Sequence, residues 1–178
     1  MFKGLFRKDP GLEAGRTLYA AAVAQAREPV LYARFGAPDK VEGRFEMVAL
    51  HVWLVMRRLK ETEAARHVSQ HLCDAMFQNL DDSLRELGVG DLQVAKKIRK
   101  LAENFYGRIG AYEAAMKPEA EENALAAALS RNIFESSDAS RTNALAAYVR
   151  KADEALAAQP VSRVASGIVF YPAAEIAQ

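Results

Sequence analysis

Residues 47–56 read Met-Val-Ala-Leu-His-Val-Trp-Leu-Val-Met, an apolar run broken only by His51 and bounded by Glu46 and Arg57. Wound as a helix over residues 40–59, this segment is apolar around most of its circumference, through Phe45, Val48, Ala49, Val52, Trp53, Val55, Met56 and Leu59. Such a helix is stable only when neighbours cover it on several sides. The run is far short of the roughly 18–20 apolar residues that cross a bilayer. It therefore predicts a buried central helix. At 178 residues the chain is long enough to build one covered core and short for two.

The flanking sequence supplies the cover as further helices. Asp9 can cap a helix that begins at Pro10, carries Glu13 in its first turn and stops near Arg27, before Pro29. A short turn through Tyr32, Arg34 and Phe35 leads to Gly36 and Pro38, and Asp39 with Glu42 reads as an acidic capping box for the central helix. Over residues 62–87, Val68, Leu72, Met76, Leu80, Leu84 and Leu87 repeat at fours and a three before Gly88 stops the helix. Asp91 reads as the next N-cap, and Ala95, Ile98, Ala102, Phe105, Ile109, Tyr112 and Met116 follow at threes and fours. Two alanine-rich helices are expected beyond, from Pro118 to about Phe134 and over residues 139–158, with Ser136-Ser137-Asp138 as loop and cap and Pro160 as the stop. No period-two alternation and no repeat is present. The expected fold is all-α: a single compact domain of six to seven helices around a central apolar helix. Residues 1–9 form a basic tail, 10–158 the helical domain, and 159–178 a C-terminal tail that is either docked or extended.

Net charge is +1, but residues 1–60 hold 11 Lys/Arg against 6 Asp/Glu, and residues 61–178 hold 13 against 17. The basic front third suits an acidic partner or an anionic lipid surface, or is a solvated asymmetry. The first eight residues interleave Phe2, Leu5 and Phe6 with Lys3, Arg7 and Lys8, a pattern that settles weakly at anionic membranes. They contain no secretory or presequence pattern, so the chain is expected to remain where it is made. Cys73 is the one cysteine, which rules out an internal disulfide, and its helical setting predicts a buried thiol.

Catalytic signatures are missing: there is no glycine-rich phosphate loop after a strand, and no Ser or Cys nucleophile in a local motif. His67 and His71 have metal-ligand spacing, with Asp74 a turn on, but no second Cys/His pair accompanies them. They are read as lying on the wet side of an amphipathic helix, and no metal or cofactor is expected. His51, inside the apolar helix, is read as a core histidine bonded to a neighbouring helix. Arg57, Arg58 and Lys60 favour the negative end of the central helix. Lys96, Lys97, Arg99 and Lys100 form a basic face that is either solvated or contacts acidic protein, RNA or lipid phosphate.

Two stretches carry more. One is Tyr32-Ala-Arg-Phe-Gly-Ala-Pro-Asp39 followed by residues 42–59. The other is residues 81–100, through Arg85-Glu-Leu-Gly-Val-Gly-Asp91, followed by Glu103-Asn-Phe-Tyr-Gly-Arg108 and Ala111-Tyr112. In order and spacing they resemble the ubiquinol–cytochrome c chaperone family over about residues 30–116. The resemblance implies a non-enzymatic assembly factor for the cytochrome bc1 complex that binds newly made cytochrome b or another bc1 subunit. It implies contacts with the ribosome, an anionic membrane surface or a small partner protein. With no presequence in view, it implies a bacterial member, cytoplasmic and peripheral to the plasma membrane. Matching residues Arg85, Glu86, Lys96, Lys97, Lys100, Tyr106 and Arg108 are the expected partner contacts. Asp39, Arg44, His51, Arg57, Asp82 and Asp91 are the expected structural or polar-network residues. The competing readings are a generic helical adaptor contacting RNA through its basic face, and a haem-handling protein using His67 and His71.

Overall fold

The computed structural model describes residues 9–134 and 138–174. Within them the chain forms eight helices and no strand: α1 Pro10–Ala26, α2 Pro29–Ala33, α3 Val41–Leu59, α4 Glu63–Glu86, α5 Asp91–Ala115, α6 Ala124–Ile133, α7 Ala139–Ala157 and α8 Val161–Ala165. The basic tail over residues 1–8 and the Ser136-Ser137 part of the expected loop lie outside the described residues. The helix count exceeds the six to seven read from sequence because α2 and α8, five residues each, are too short to show a period.

The apolar segment is the centre. Every residue from Ala49 to Val55 of α3 is buried, and Trp53 is 1 % exposed, its ring packed on Tyr112 at 5.1 Å between centroids. Helices α1, α4, α6, α7 and α8 all pack against α3. Burying a side chain such as Leu50 or Leu54 contributes about 1.5–3 kcal/mol each, which explains why an all-round apolar helix dictates this arrangement.

Helices α1 and α4 run side by side in the same direction: Gly11 meets His67 and His71, Gly15 meets His71 and Leu72, and the Tyr19 hydroxyl donates to Asn79 Oδ1. A Cβ on Gly15 would fall 2.6 Å from His71 Cβ and 2.7 Å from its carbonyl carbon, so only glycine permits the approach. The α4–α5 hairpin turns on Gly88, at φ +79°, in a Schellman motif: Val89 N–H donates to the Leu84 carbonyl and Gly88 N–H to that of Arg85.

Several helix starts differ from the sequence reading. Asp9 caps α1 as expected, accepting from Gly11 N–H at 2.9 Å, and Asp138 accepts from Arg141 N–H. Asp39 and Asp91 do not cap. Their carboxylates are drawn to Arg44 and Arg85, stronger donors than a backbone amide, and Lys40 and Gly90 occupy the N-cap positions. Helix α6 starts at Ala124 rather than Pro118, because Glu119–Asn123 is spent on turns. The segment after Pro160 is docked: Val164 and Ala174 are buried, and the Tyr171 hydroxyl donates to the His51 carbonyl at 2.9 Å.

Candidate functional site

Three polar clusters tie the helices together. At the first, His51 is wholly buried on α3. Its Nδ1 lies 2.7 Å from the Met47 carbonyl, which can only accept, so Nδ1 carries the proton. Nε2 must then accept from the Tyr148 hydroxyl of α7, at 2.8 Å, and Tyr148 in turn accepts from Gln25 Nε2 of α1. Burial holds the imidazole down at about 4, so it is neutral.

The second cluster lies at the C-terminal end of α3. Arg57 donates to Glu113 of α5 at 2.6 Å and to Asp153 of α7 at 2.8 Å, Lys60 and the Trp53 indole also donate to Glu113, and Arg58 donates twice to the Gln159 carbonyl. Arg57, expected in a polar network, and Arg58 and Lys60, assigned from sequence only to a helix dipole, are thus the bolts between α3, α5, α7 and the C-terminal segment.

The third cluster joins the two stretches that carry the family resemblance. Arg108 of α5 pairs with Glu46 of α3 at 2.5 Å, their side chains 19 % and 10 % exposed. Burial pushes the Glu46 carboxyl up to about 7, with Arg108 opposing only in part. The structure thus places Arg108 inside the fold against Glu46, not on an open face. Sequence reasoning missed Glu46; its signal was a carboxylate at the very edge of the apolar run.

The remaining expected contact residues sit on the α4–α5 hairpin. Between residues 77 and 104 only Val94 is fully buried, and the tip presents Leu87 and Leu92, 79 % and 89 % exposed. Arg85 is held by Asp81 and Asp91 and braces the turn. Asp82 accepts from Gln78, Glu86 is exposed, and Lys100 faces Glu103 at 3.7 Å. Lys96, Lys97 and Arg99 are exposed without an ion-pair partner among the described residues. Tyr106, half exposed, stands apart on α5 beside Cys73 Sγ.

A groove of about 870 Å³ is walled by α1 and α4, with α2 and the N-terminal half of α3 as its other sides. Tyr19, Val23, Tyr32, Phe45, Val48 and Leu80 give it an apolar lining, and Arg27, Arg44 and Asp39 stand at its rim. The Asp39–Arg44 pair, expected as structure, therefore also edges the groove, at 2.6 Å and well exposed. Such a groove accepts an apolar or amphipathic segment with polar edges. Cys73 offers no nucleophile: it is buried, and burial pushes its thiol up.

Outside these features, His67 and His71 of α4 converge on Asp9 at the start of α1. His67 is on the wet side, as expected, but His71 is only 18 % exposed, turned under α1.

The comparisons with known proteins follow the same outline. The family model described as Ubiquinol-cytochrome C chaperone matches residues 33–171. The ubiquinol-cytochrome-c reductase complex assembly factor 1 of Xenopus laevis is 25 % identical over 141 residues, covering 78 % of this chain and 70 % of that protein. Its counterparts in Mus musculus and Homo sapiens are each 26 % identical over 141 residues, and this chain spans 47 % and 46 % of their lengths. Among solved structures, the Cbp3 homologue from Brucella abortus superposes with a TM-score of 0.82 at 38 % identity, covering 93 % of this chain and 92 % of that one.

Proposed function

This chain belongs to the ubiquinol–cytochrome c chaperone family, and on that premise we propose that it is a non-enzymatic assembly chaperone for the ubiquinol–cytochrome c reductase complex. The observation that carries the reading is the family match across residues 33–171, which spans α3 to α8 and most of the docked C-terminal segment. Support also comes from relatives whose names make them assembly factors of that complex.

The client is cytochrome b, held as it is made and before its helices find their partners. The groove between α1 and α4 is the docking place: its aromatic and aliphatic lining suits one amphipathic segment of such a client, and Arg27 and Arg44 suit an acidic edge. The basic hairpin face of Lys96, Lys97 and Lys100 holds the complex against an anionic surface, at the ribosome or the inner membrane. None of the described helices is long and apolar enough to cross a membrane.

The reading is tested by placing a photo-crosslinking residue at Phe45 in the groove, and a control at exposed Glu154 on α7, in cells making the bc1 complex. Adducts with cytochrome b from position 45 and not from position 154 are expected. Adducts from neither position, or equally from both, would overturn the docking assignment.

A further inference from the structure

His67 Nε2 lies 3.2 Å from Asp9 Oδ2, His71 Nε2 lies 3.1 Å from the same oxygen, and the two Nε2 atoms are 3.1 Å apart. Three atoms at these separations cannot all be joined by protons. A carboxylate oxygen only accepts, so each nitrogen facing it must carry a proton, and the two nitrogens then face each other donor to donor. Moving one proton to Nδ1 mends the contact between the rings but sets a bare nitrogen lone pair against the carboxylate. With the carboxylate ionised, every distribution leaves one side of the triangle repulsive.

A cation at the open face of the triangle removes the conflict, since all three lone pairs then point at it. The size fits. Metal–nitrogen and metal–oxygen bonds of about 2.0 Å in a tetrahedral site put ligand atoms about 3.3 Å apart, and the three separations here are 3.1–3.2 Å. Two imidazoles and a carboxylate select zinc over calcium or magnesium, which prefer oxygen cages.

The surroundings hold the donors in this arrangement. Asp9 Oδ1 is committed to capping α1, which leaves Oδ2 directed at the histidines. Gly11 and Gly15, one turn apart on α1, face His67 and His71, one turn apart on α4. A Cβ on Gly11 would lie 3.1 Å from His67 Cδ2 and 3.2 Å from His71 Cδ2, so these glycines let the rings lie against the α1 backbone. Behind His71, Asp74 Oδ2 lies 3.9 Å from Nδ1, beyond hydrogen-bond distance, and Asp74 Oδ1 accepts from Gln70. Asp74 thus stands behind the site, and the third ligand comes from another helix 58 residues earlier in the chain than His67.

We propose that Asp9, His67 and His71 form a three-ligand zinc site, its fourth position taken by water, that clasps the start of α1 to α4. This departs from the expectation drawn from sequence, where Asp74 was the companion in view, no second Cys/His pair accompanied the histidines and no metal was expected. The site stands on its own geometry and does not depend on the chaperone reading. Its consequence for the fold is local: the same parallel pair of helices, further along, walls the large groove.

The test uses the full-length chain, free of any affinity tag and stripped with a chelator, titrated with zinc ions against a competing indicator. One zinc per chain at micromolar or tighter dissociation constant is expected, with a rise in thermal midpoint. His67→Gln, His71→Gln and Asp9→Asn should each weaken binding at least about tenfold, the smallest loss common even for an outer-shell partner. Asn caps a helix as well as Asp, so Asp9→Asn separates ligation from capping: its zinc-free midpoint should match the wild type. Binding weaker than millimolar, a stoichiometry other than one, or unchanged affinity in the two histidine variants would overturn the proposal.

Discussion

Replacing His51 by leucine isolates the single buried imidazole of the core and makes its cost visible in the pH dependence of stability. In the folded chain His51 gives its Nδ1 proton to Met47 and accepts from Tyr148, and burial holds it neutral down to about 4. In the unfolded chain it titrates near 6.5. Between these values the unfolded state takes up a proton that the folded state refuses. The stability associated with a neutral His51 is therefore fully present above pH 6.5 and is lost as pH falls through about 4. The interval corresponds to roughly 3 kcal/mol, at about 1.4 kcal/mol per pH unit. The assay is urea unfolding of wild type and His51→Leu at several pH values from 8 to 4.5. Subtracting one curve from the other cancels Glu46, whose raised carboxyl acts in the opposite direction. Whatever the offset at pH 8, the wild type should lose ground to the variant steadily below pH 6.5. Parallel curves would refute the claim that His51 is held neutral by burial.

Glu46→Gln tests the opposite sign. A carboxyl at about 7 in the fold and 4.5 when unfolded contributes stability that is complete below pH 4.5 and lost as pH rises through 7; the variant should gain on wild type toward pH 8 by at most roughly 3 kcal/mol, read by the same urea titrations. Trp53→Ala, at a site 1 % exposed, should cost about 3–5 kcal/mol in urea unfolding. Changing Lys96, Lys97 and Lys100 together to Gln should leave the thermal midpoint unchanged or slightly higher, since like charges a turn apart repel by a few tenths of a kcal/mol, while membrane or ribosome association measured by sedimentation falls; undiminished association would make this face merely solvated.

What sequence could and could not convey follows from range. The α3 core helix was legible because an all-round apolar run has one physical outcome. So were α4 and α5, whose periods run for several turns, and the Asp9 and Asp138 caps, which depend on residues two or three positions away. Asp39 and Asp91 misled because they lie near Arg44 and Arg85 in space, and capping rules weigh only the local amide. The polar ties of Arg57 to Asp153, of Arg108 to Glu46 and of His51 to Tyr148 join residues 62 to 97 positions apart. No spacing rule reaches that far. The same reason hid Asp9 as the companion of His67 and His71, where local spacing favoured Asp74. The basic hairpin face was visible, yet the exposure of Leu87 was not, because it closes the apolar period of α4 and looks like core until the hairpin is seen to outrun the body.

An assembly chaperone for the ubiquinol–cytochrome c reductase complex leaves its mark on how much of that complex is made. The most direct measurement is the amount of assembled complex in membranes after deletion of the gene, by native electrophoresis and ubiquinol–cytochrome c reductase activity, with and without a restored copy. A marked loss of assembled complex is expected, with cytochrome b message unchanged and assembly recovered on complementation. Normal levels of active complex in the deletion strain would contradict the chaperone role.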